Sequence, residues 1–262
     1  MNARTFTFLV IFVSFSLCSK AQFDQVTVGP GYANQTYLTL SGAQAYSYDH
    51  TSWDIAFDLS LQGAGIIVNE AVASVQGPPP AAVELYTSTS TDFGTATEAD
   101  MADRIYNEDV AWTDGAFNSV KNEADPFDLG WGSYVPANNS VAGTRVFFIR
   151  LRNGELKKLI IELLSGGQYT FKYANTDGSN EVTRSVSKTD YSGKTMVYYS
   201  IQNDVFLDLE PDNWDFVFTR YVTPLDDGSG NILDYTVTGA LSNAGVQVAQ
   251  ANGVDPENIN ES

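Results

Sequence analysis

The chain states one stretch twice, and that repetition limits what it can fold into. Trp53-Asp54-Ile55-Ala56-Phe57 recurs as Trp214-Asp215-Phe216-Val217-Phe218, 161 positions later (214 − 53). In each copy Trp, a hydrophobe and Phe fall at alternate positions, the period-two pattern of a β-strand with a packed face. The flanks match as well. Tyr37-Leu38-Thr39-Leu40 and Tyr198-Tyr199-Ser200-Ile201 precede the two copies, and Gly65-Ile66-Ile67-Val68 and Gly245-Val246-Gln247-Val248 follow them. Solenoid repeats have periods of roughly 20–50 residues. A repeat this long is a domain duplication, with units expected at residues 22–188 and 189–262.

The N-terminus reads as a targeting segment over residues 1–21. Arg4 supplies the positive region, Thr5 to Leu17 the short apolar core, and Ser19-Lys20-Ala21 a small-x-small cleavage site. The apolar run is about 13 residues where a bilayer span takes roughly 20, so an exported protein, periplasmic or extracellular, is expected. The alternative is an outer-membrane lipid anchor on Cys18. The chain carries 32 acids against 14 Lys and Arg, a formal charge of −18. Nucleic acid and anionic membrane surfaces call for basic patches, so neither is an expected partner. Cys18 is the one cysteine; once the leader is removed, no disulfide or thiolate site is available.

Strands are expected over Tyr37–Leu40, Trp53–Leu61 and Ile66–Val72, with Gly77-Pro78-Pro79-Pro80 ending the sheet because proline lacks the ladder N–H. A helix is expected over about Thr97–Tyr106, where Thr95 or Thr97 would cap and Glu98 and Asp100 favour the N-terminal dipole. Residues 113–136 are turn-rich and read as a long loop anchored by Phe127, Trp131 and Tyr134. Arg145–Leu164 reads as a hairpin with a two-residue type I′ turn at Asn153-Gly154, which would set Phe148 opposite Leu159 and Phe147 opposite Ile160. Gln168–Tyr173 and Glu181–Lys188 form a further antiparallel pair. No counterpart of the Asn-Gly hairpin follows Trp214, so the second copy reads as incomplete.

Trp-Asp-Ile-Ala-Phe, the later glycine and aliphatic run, and Arg145-Val146-Phe147-Phe148-Ile149-Arg150 turning at Asn153-Gly154 into Leu156-Lys157-Lys158-Leu159 together resemble the HmuY family, secreted or lipid-anchored β-proteins of Bacteroidetes that hold haem. The resemblance covers most of residues 35–175 and recurs in part over 195–252. It implies an all-β fold of antiparallel sheets, with haem or another flat hydrophobic ligand gripped between the sheet and the region 87–135. Haem iron takes His, Met, Cys or Tyr as axial ligands. Composition leaves His50, Met101 and Met196 as the nitrogen and thioether groups after the leader. A bis-histidine site is excluded; Met101 and His50 are the ligand candidates, a tyrosinate the other option, and Trp112, Trp131 and Tyr134 the candidate slot aromatics. His50 sits in a turn, where a lone His is ordinarily solvated, and Met196 starts a strand and reads as core.

Asp226-Asp227-Gly228-Ser229-Gly230-Asn231 sets acidic oxygens among glycines as calcium loops do, making Asp226, Asp227 and Asn231 calcium-loop candidates, but the run lacks the distal bidentate Glu and reads equally as a hairpin loop. One His gives no zinc cluster and no paired acid and base, and neither a Gly-x-Ser-x-Gly elbow nor a phosphate loop occurs. Asp54 and Asp215 repeat with the strand motif and read as structural. The expectation is therefore a non-enzymatic binding protein whose partner is a small hydrophobic ligand, or a surface module of the same fold that contacts another surface protein.

Overall fold

The computed structural model describes residues 25–41, 44–72, 81–108, 114–248 and 252–253; the leader, Cys18, Trp112 and the Gly-Pro run at 77–80 lie outside them. The first copy supplies β1 (Asn34–Thr39), β2 (Gln44–Asp49), β3 (Ile55–Asp58) and β4 (Ile66–Val68). Between the copies run β5 (Glu84–Ser88), β6 (Met101–Ile105), β7 (Gly132–Val135), β8 (Ser140–Gly143), β9 (Val146–Arg150), β10 (Leu156–Ser165), β11 (Gln168–Asn175) and β12 (Val182–Ser187). The second copy supplies β13 (Met196–Ser200), β14 (Val205–Leu207), β15 (Phe216–Asp226) and β16 (Ile232–Ser242). The strand pairs are antiparallel and the fold is all-β.

The two copies build their sheets together. One sheet has the order β16-β15-β1-β2 and another β14-β13-β3-β4, so each takes two strands from either copy. Their registers correspond. In the first, Tyr37 lies opposite Val217 and Leu38 opposite Phe216. In the second, Tyr198 lies opposite Ala56 and Tyr199 opposite Ile55. Exchanging the copies by the 161-residue shift (37 + 161 = 198; 56 + 161 = 217) turns one register into the other.

Tyr37 and Tyr198, equivalent residues, share a buried hydrogen bond between their hydroxyls, and Gln35 Nε2 donates to Tyr37 at 2.7 Å. Each tyrosine meets the other copy's Trp edge-on: Trp53 and Tyr198 at 4.9 Å, Trp214 and Tyr37 at 5.1 Å. Such pairs add about 0.5–1.5 kcal/mol beyond the area they bury. Asp54 and Asp215 are structural, as expected. The Asp54 carboxylate accepts from Gln202 N (3.1 Å) and Asp215 accepts from Leu40 N (2.7 Å).

The sheet containing β3 is covered on both faces. Ile55, Phe57, Ile66, Val197 and Tyr199 pack into the main core with Phe147, Leu159 and Phe171 of the intervening strands. Trp53, Ala56, Ile67, Met196 and Tyr198 pack on the other side. The Trp-Asp strand was expected to pack one face; its Ala56 is fully buried too, because strands in a middle layer lose both faces to protein.

Three local expectations are corrected. The counterpart of Ile66–Val68 is not Gly245–Val248 but the end of β16: Phe57 lies opposite Ile66, and its equivalent Phe218 lies opposite Ala240. Asn69 and Asn243 then play the same part, each donating its side-chain amide to the carbonyl of the Trp, at 2.8 Å in both copies. The helix expected over Thr97–Tyr106 is a single 3₁₀ turn, Glu98–Asp100, started by a Thr97–Asp100 capping box. Met101–Ile105 then pairs with β5, so the cap was legible and tertiary pairing overrode the propensity beyond it. The Asn153-Gly154 hairpin is one residue out of the expected register. Phe147 faces Leu159 and Phe148 faces Lys158. Leu151 N donates to Glu155 O at 2.8 Å and Gly154 N to Leu151 O at 2.9 Å, and Gly154, not Asn153, takes positive φ. This is a three-residue loop, a type I turn followed by a left-handed glycine. The slip puts Phe147 in the main core and Phe148 in a smaller cluster on the opposite face.

Trp53→Ala and Trp214→Ala should each cost about 3–5 kcal/mol within one cooperative transition, because each Trp braces strands of both copies. Urea unfolding read by fluorescence and by far-UV circular dichroism checks this; two separated transitions, each sensitive to one variant only, would show independent copies.

Candidate functional site

An open groove of about 990 Å³ lies where four turns converge. The β3–β4 connection brings Leu59 and Leu61, the segments around β7 bring Leu129 and Tyr134, the β10–β11 hairpin brings Leu164, and the 3₁₀ turn after β12 leads in Tyr191. Each turn is fixed locally. Asp58 accepts from Ser60 N at 2.7 Å and Ser60 Oγ at 2.9 Å, folding its carboxylate over Gly63, where a Cβ would lie 1.5 Å from Asp58 Oδ2. The β10–β11 turn is Gly166-Gly167, both at positive φ, between the paired Ser165 and Gln168. That is the type I′ geometry expected at Asn153-Gly154, and a pair of glycines meets it without a Cβ penalty.

Two ammonium groups stand along the groove, both held by protein oxygens. Lys188 Nζ donates to Ser60 O (2.5 Å) and Gly63 O (2.6 Å) and lies 5.4 Å from the Tyr169 ring centre. Burial lowers its pKa, with Asp58 opposing. Lys194 Nζ donates to Glu210 O (2.5 Å) and pairs with Asp212 at 2.7 Å. The groove therefore mixes aliphatic side chains and two tyrosines with polar groups such as Gln62, Asn139 and Thr189, and two lysines stand along it.

Of the residues singled out from sequence, Tyr134 lines this groove. Trp131 does not; it is fully buried and its Nε1 donates to Ala64 O at 2.8 Å, so it anchors the loop from within the core. Met101 lies on β6 beside the cluster of Ala96, Val146 and Phe148. His50 overturns the reading of a solvated turn residue. It is 1% exposed, and neither ring nitrogen has a hydrogen-bond partner among the described residues. Burial, then the nearby Arg152 and Arg220 guanidinium groups, push its pKa down to about 4.

Asp226, Asp227 and Asn231 form the β15–β16 turn. Asp227 accepts from Ser229 N at 2.7 Å, Asn231 N at 3.2 Å and Asn231 Nδ2 at 2.9 Å, and Asp226 from Gly228 N at 2.7 Å. Among the described residues no three His, Cys, Asp or Glu side chains cluster as a metal site.

Sequence reasoning missed Leu61, Leu164 and Tyr191, which share no motif and meet only through the fold. It also missed two buried acids. Glu70 accepts from Asn107 N at 3.0 Å and Glu210 from Met196 N at 3.1 Å; burial raises each pKa to about 7, against those hydrogen bonds. Neither lines the groove. Comparison with protein-family models, curated proteins and solved structures returns no match, so the HmuY-like resemblance rests on the residues quoted for it.

The pH linkage of these groups has opposite signs. His50 is depressed from 6.5 to about 4, so the unfolded chain binds the extra proton between those values and stability falls as pH drops through them. Glu70 is raised from 4.5 to about 7, so its contribution is full below 4.5 and is lost as pH rises towards 7. Relative to the parent, His50→Gln should therefore gain about 2 kcal/mol at pH 5 over pH 7.5, and Glu70→Gln should lessen the fall in stability between pH 4.5 and 7, leaving the share that Glu210 contributes. Urea midpoints across pH 4.5–7.5 measure both; parallel curves for parent and variants would contradict the assignment.

Proposed function

We propose that this is an exported, non-enzymatic binding protein that takes a flat, largely apolar ligand into the groove between the β3–β4 loop, β7, the β10–β11 turn and Tyr191. The observation that carries this reading is the groove itself: its volume is in the range of small-molecule sites, and its walls set aliphatic and tyrosine side chains among polar ones, Gln62, Asn139 and Thr189 included. Lys188, whose ammonium is held by carbonyl oxygens among the described residues, favours a ligand with a carboxylate at its edge. Haem fits that description, and the HmuY-like resemblance points the same way. His50 and Met101 do not line the groove, so iron held there would take a phenol oxygen, from Tyr134 or Tyr191, as its protein ligand. The second reading, a surface module that binds another protein, is favoured by the exposed Leu225, Ile232, Leu233 and Tyr235 on the β15–β16 ribbon.

Titrating the purified protein with haemin while following visible absorption tests the first reading. A saturable one-to-one Soret shift is expected, abolished by filling the groove with Leu164→Arg and moved in position by Tyr134→Phe or Tyr191→Phe. Iron-free protoporphyrin should still quench tryptophan fluorescence, more weakly. Binding indifferent to Leu164→Arg, or featureless partitioning, would remove the groove as the site.

A further inference from the structure

We infer that the protein associates with a second copy of itself, edge to edge along β16, to make one continuous sheet across the two copies. Among the described residues β16 ends its sheet, with β15 on one side and no strand on the other. It is eleven residues long, and an uncovered edge of that length invites pairing unless charge, proline or a bulge blunts it. Neither a proline nor a bulge interrupts β16. Although the chain carries −18, β16 holds one charged residue, Asp234. That carboxylate is already engaged by Arg104 and by the Tyr106 hydroxyl, which also tie the ribbon to β6.

The hydrogen-bond phase of the edge follows from β15. Asp227 N donates to Asn231 O at 3.0 Å, while Val222, opposite Thr236, turns its N–H away to Glu70. Pro224, with no N–H to give, lies opposite Asp234 in the same phase. Antiparallel alternation then leaves the N–H and C=O of Ile232, Asp234, Thr236, Thr238, Ala240 and Ser242 pointing outward.

A second β16 fits these groups in a register that is its own mirror under a two-fold axis. Centred on Val237, the pairing sets Val237 against Val237, Thr236 against Thr238, Tyr235 against Gly239 and Leu233 against Leu241. The one acid, Asp234, falls opposite Ala240, so no like charges meet. The register also answers an imbalance in the strand. Leu233 and Tyr235 are 54% and 59% exposed, whereas Leu241 packs beside Trp214 and Val217. Pairing places the exposed half of one strand beside the half-buried part of the other, which is why a second copy suits this edge.

Sedimentation velocity of the purified protein over a range of concentrations reads the association, and two further measurements read its register. Ala240→Asp puts a carboxylate opposite Asp234 twice per dimer and should raise the dissociation constant about tenfold or more; Ala240→Lys should lower it. With Cys18 changed to Ser, Val237→Cys should cross-link under oxidation, because a non-hydrogen-bonded pair brings Cα atoms to about 4.5 Å, within disulfide reach. Tyr235→Cys, opposite Gly239, should not. A monomer throughout, or a dimer that neither responds to the Ala240 variants nor cross-links through Val237→Cys, would overturn the inference.

Discussion

The structure depends on the reciprocal pairing of its two copies. Tyr37 and Tyr198 meet hydroxyl to hydroxyl in a place shut off from water, and each packs edge-on against the tryptophan that the other copy supplies. Phenols buried in this way stay protonated; burial raises both far above the ordinary range, so the contact is between neutral groups at any physiological pH. Each of the two shared sheets is joined only across the copies, β1 to β15 and β3 to β13, strands far apart in the sequence. Loop closure makes such contacts expensive to form early. The intervening strands offset part of that cost with local hairpins of their own, β9–β10, β10–β11 and β11–β12, on which β3 and β13 find one face of their core.

What the sequence made legible follows from this. The recurrence of the Trp-Asp strand, the all-β class, the structural role of Asp54 and Asp215 and the burial of Met196 could all be read, because each depends on local alternation or on a short repeated motif. The exchange of strands could not, since alternation says that Tyr37 lies on a strand without saying which strand lies beside it. Asn153-Gly154 located its hairpin but misjudged the register: the turn type hangs on whether Asn153 adopts positive φ, and here its side chain instead accepts from Glu155 N at 3.0 Å. His50 was misread for a related reason. Its turn is local and polar, whereas its burial comes from packing that no neighbour in the sequence announces. Tyr134 is the one groove residue singled out in advance; the others lie on separate turns.

The duplicated frame also shows where the copies have diverged. Asn69 and Asn243 are equivalent, yet they stand 174 positions apart (243 − 69) rather than 161, so the second copy is longer by 13 residues (174 − 161) between its third and fourth strands. In the first copy that connection is the short loop from Leu59 to Gly65, clamped by Asp58 and forming one wall of the groove. In the second it is the long β15–β16 ribbon, whose outer half carries Leu225, Ile232, Leu233 and Tyr235 into solvent.

The residues that make the frame, the tyrosine, tryptophan, aspartate and asparagine of each copy, are matched pair for pair, and a change in one would disturb both sheets. The connection between the third and fourth strands bears no such load, because it projects beyond the paired region. Variation there leaves the sheets intact and alters only what the molecule shows to water, a groove wall in one copy and a long ribbon with a single charge on its edge strand in the other. The same topological position thus carries one wall of the groove in the first copy and a projecting ribbon in the second.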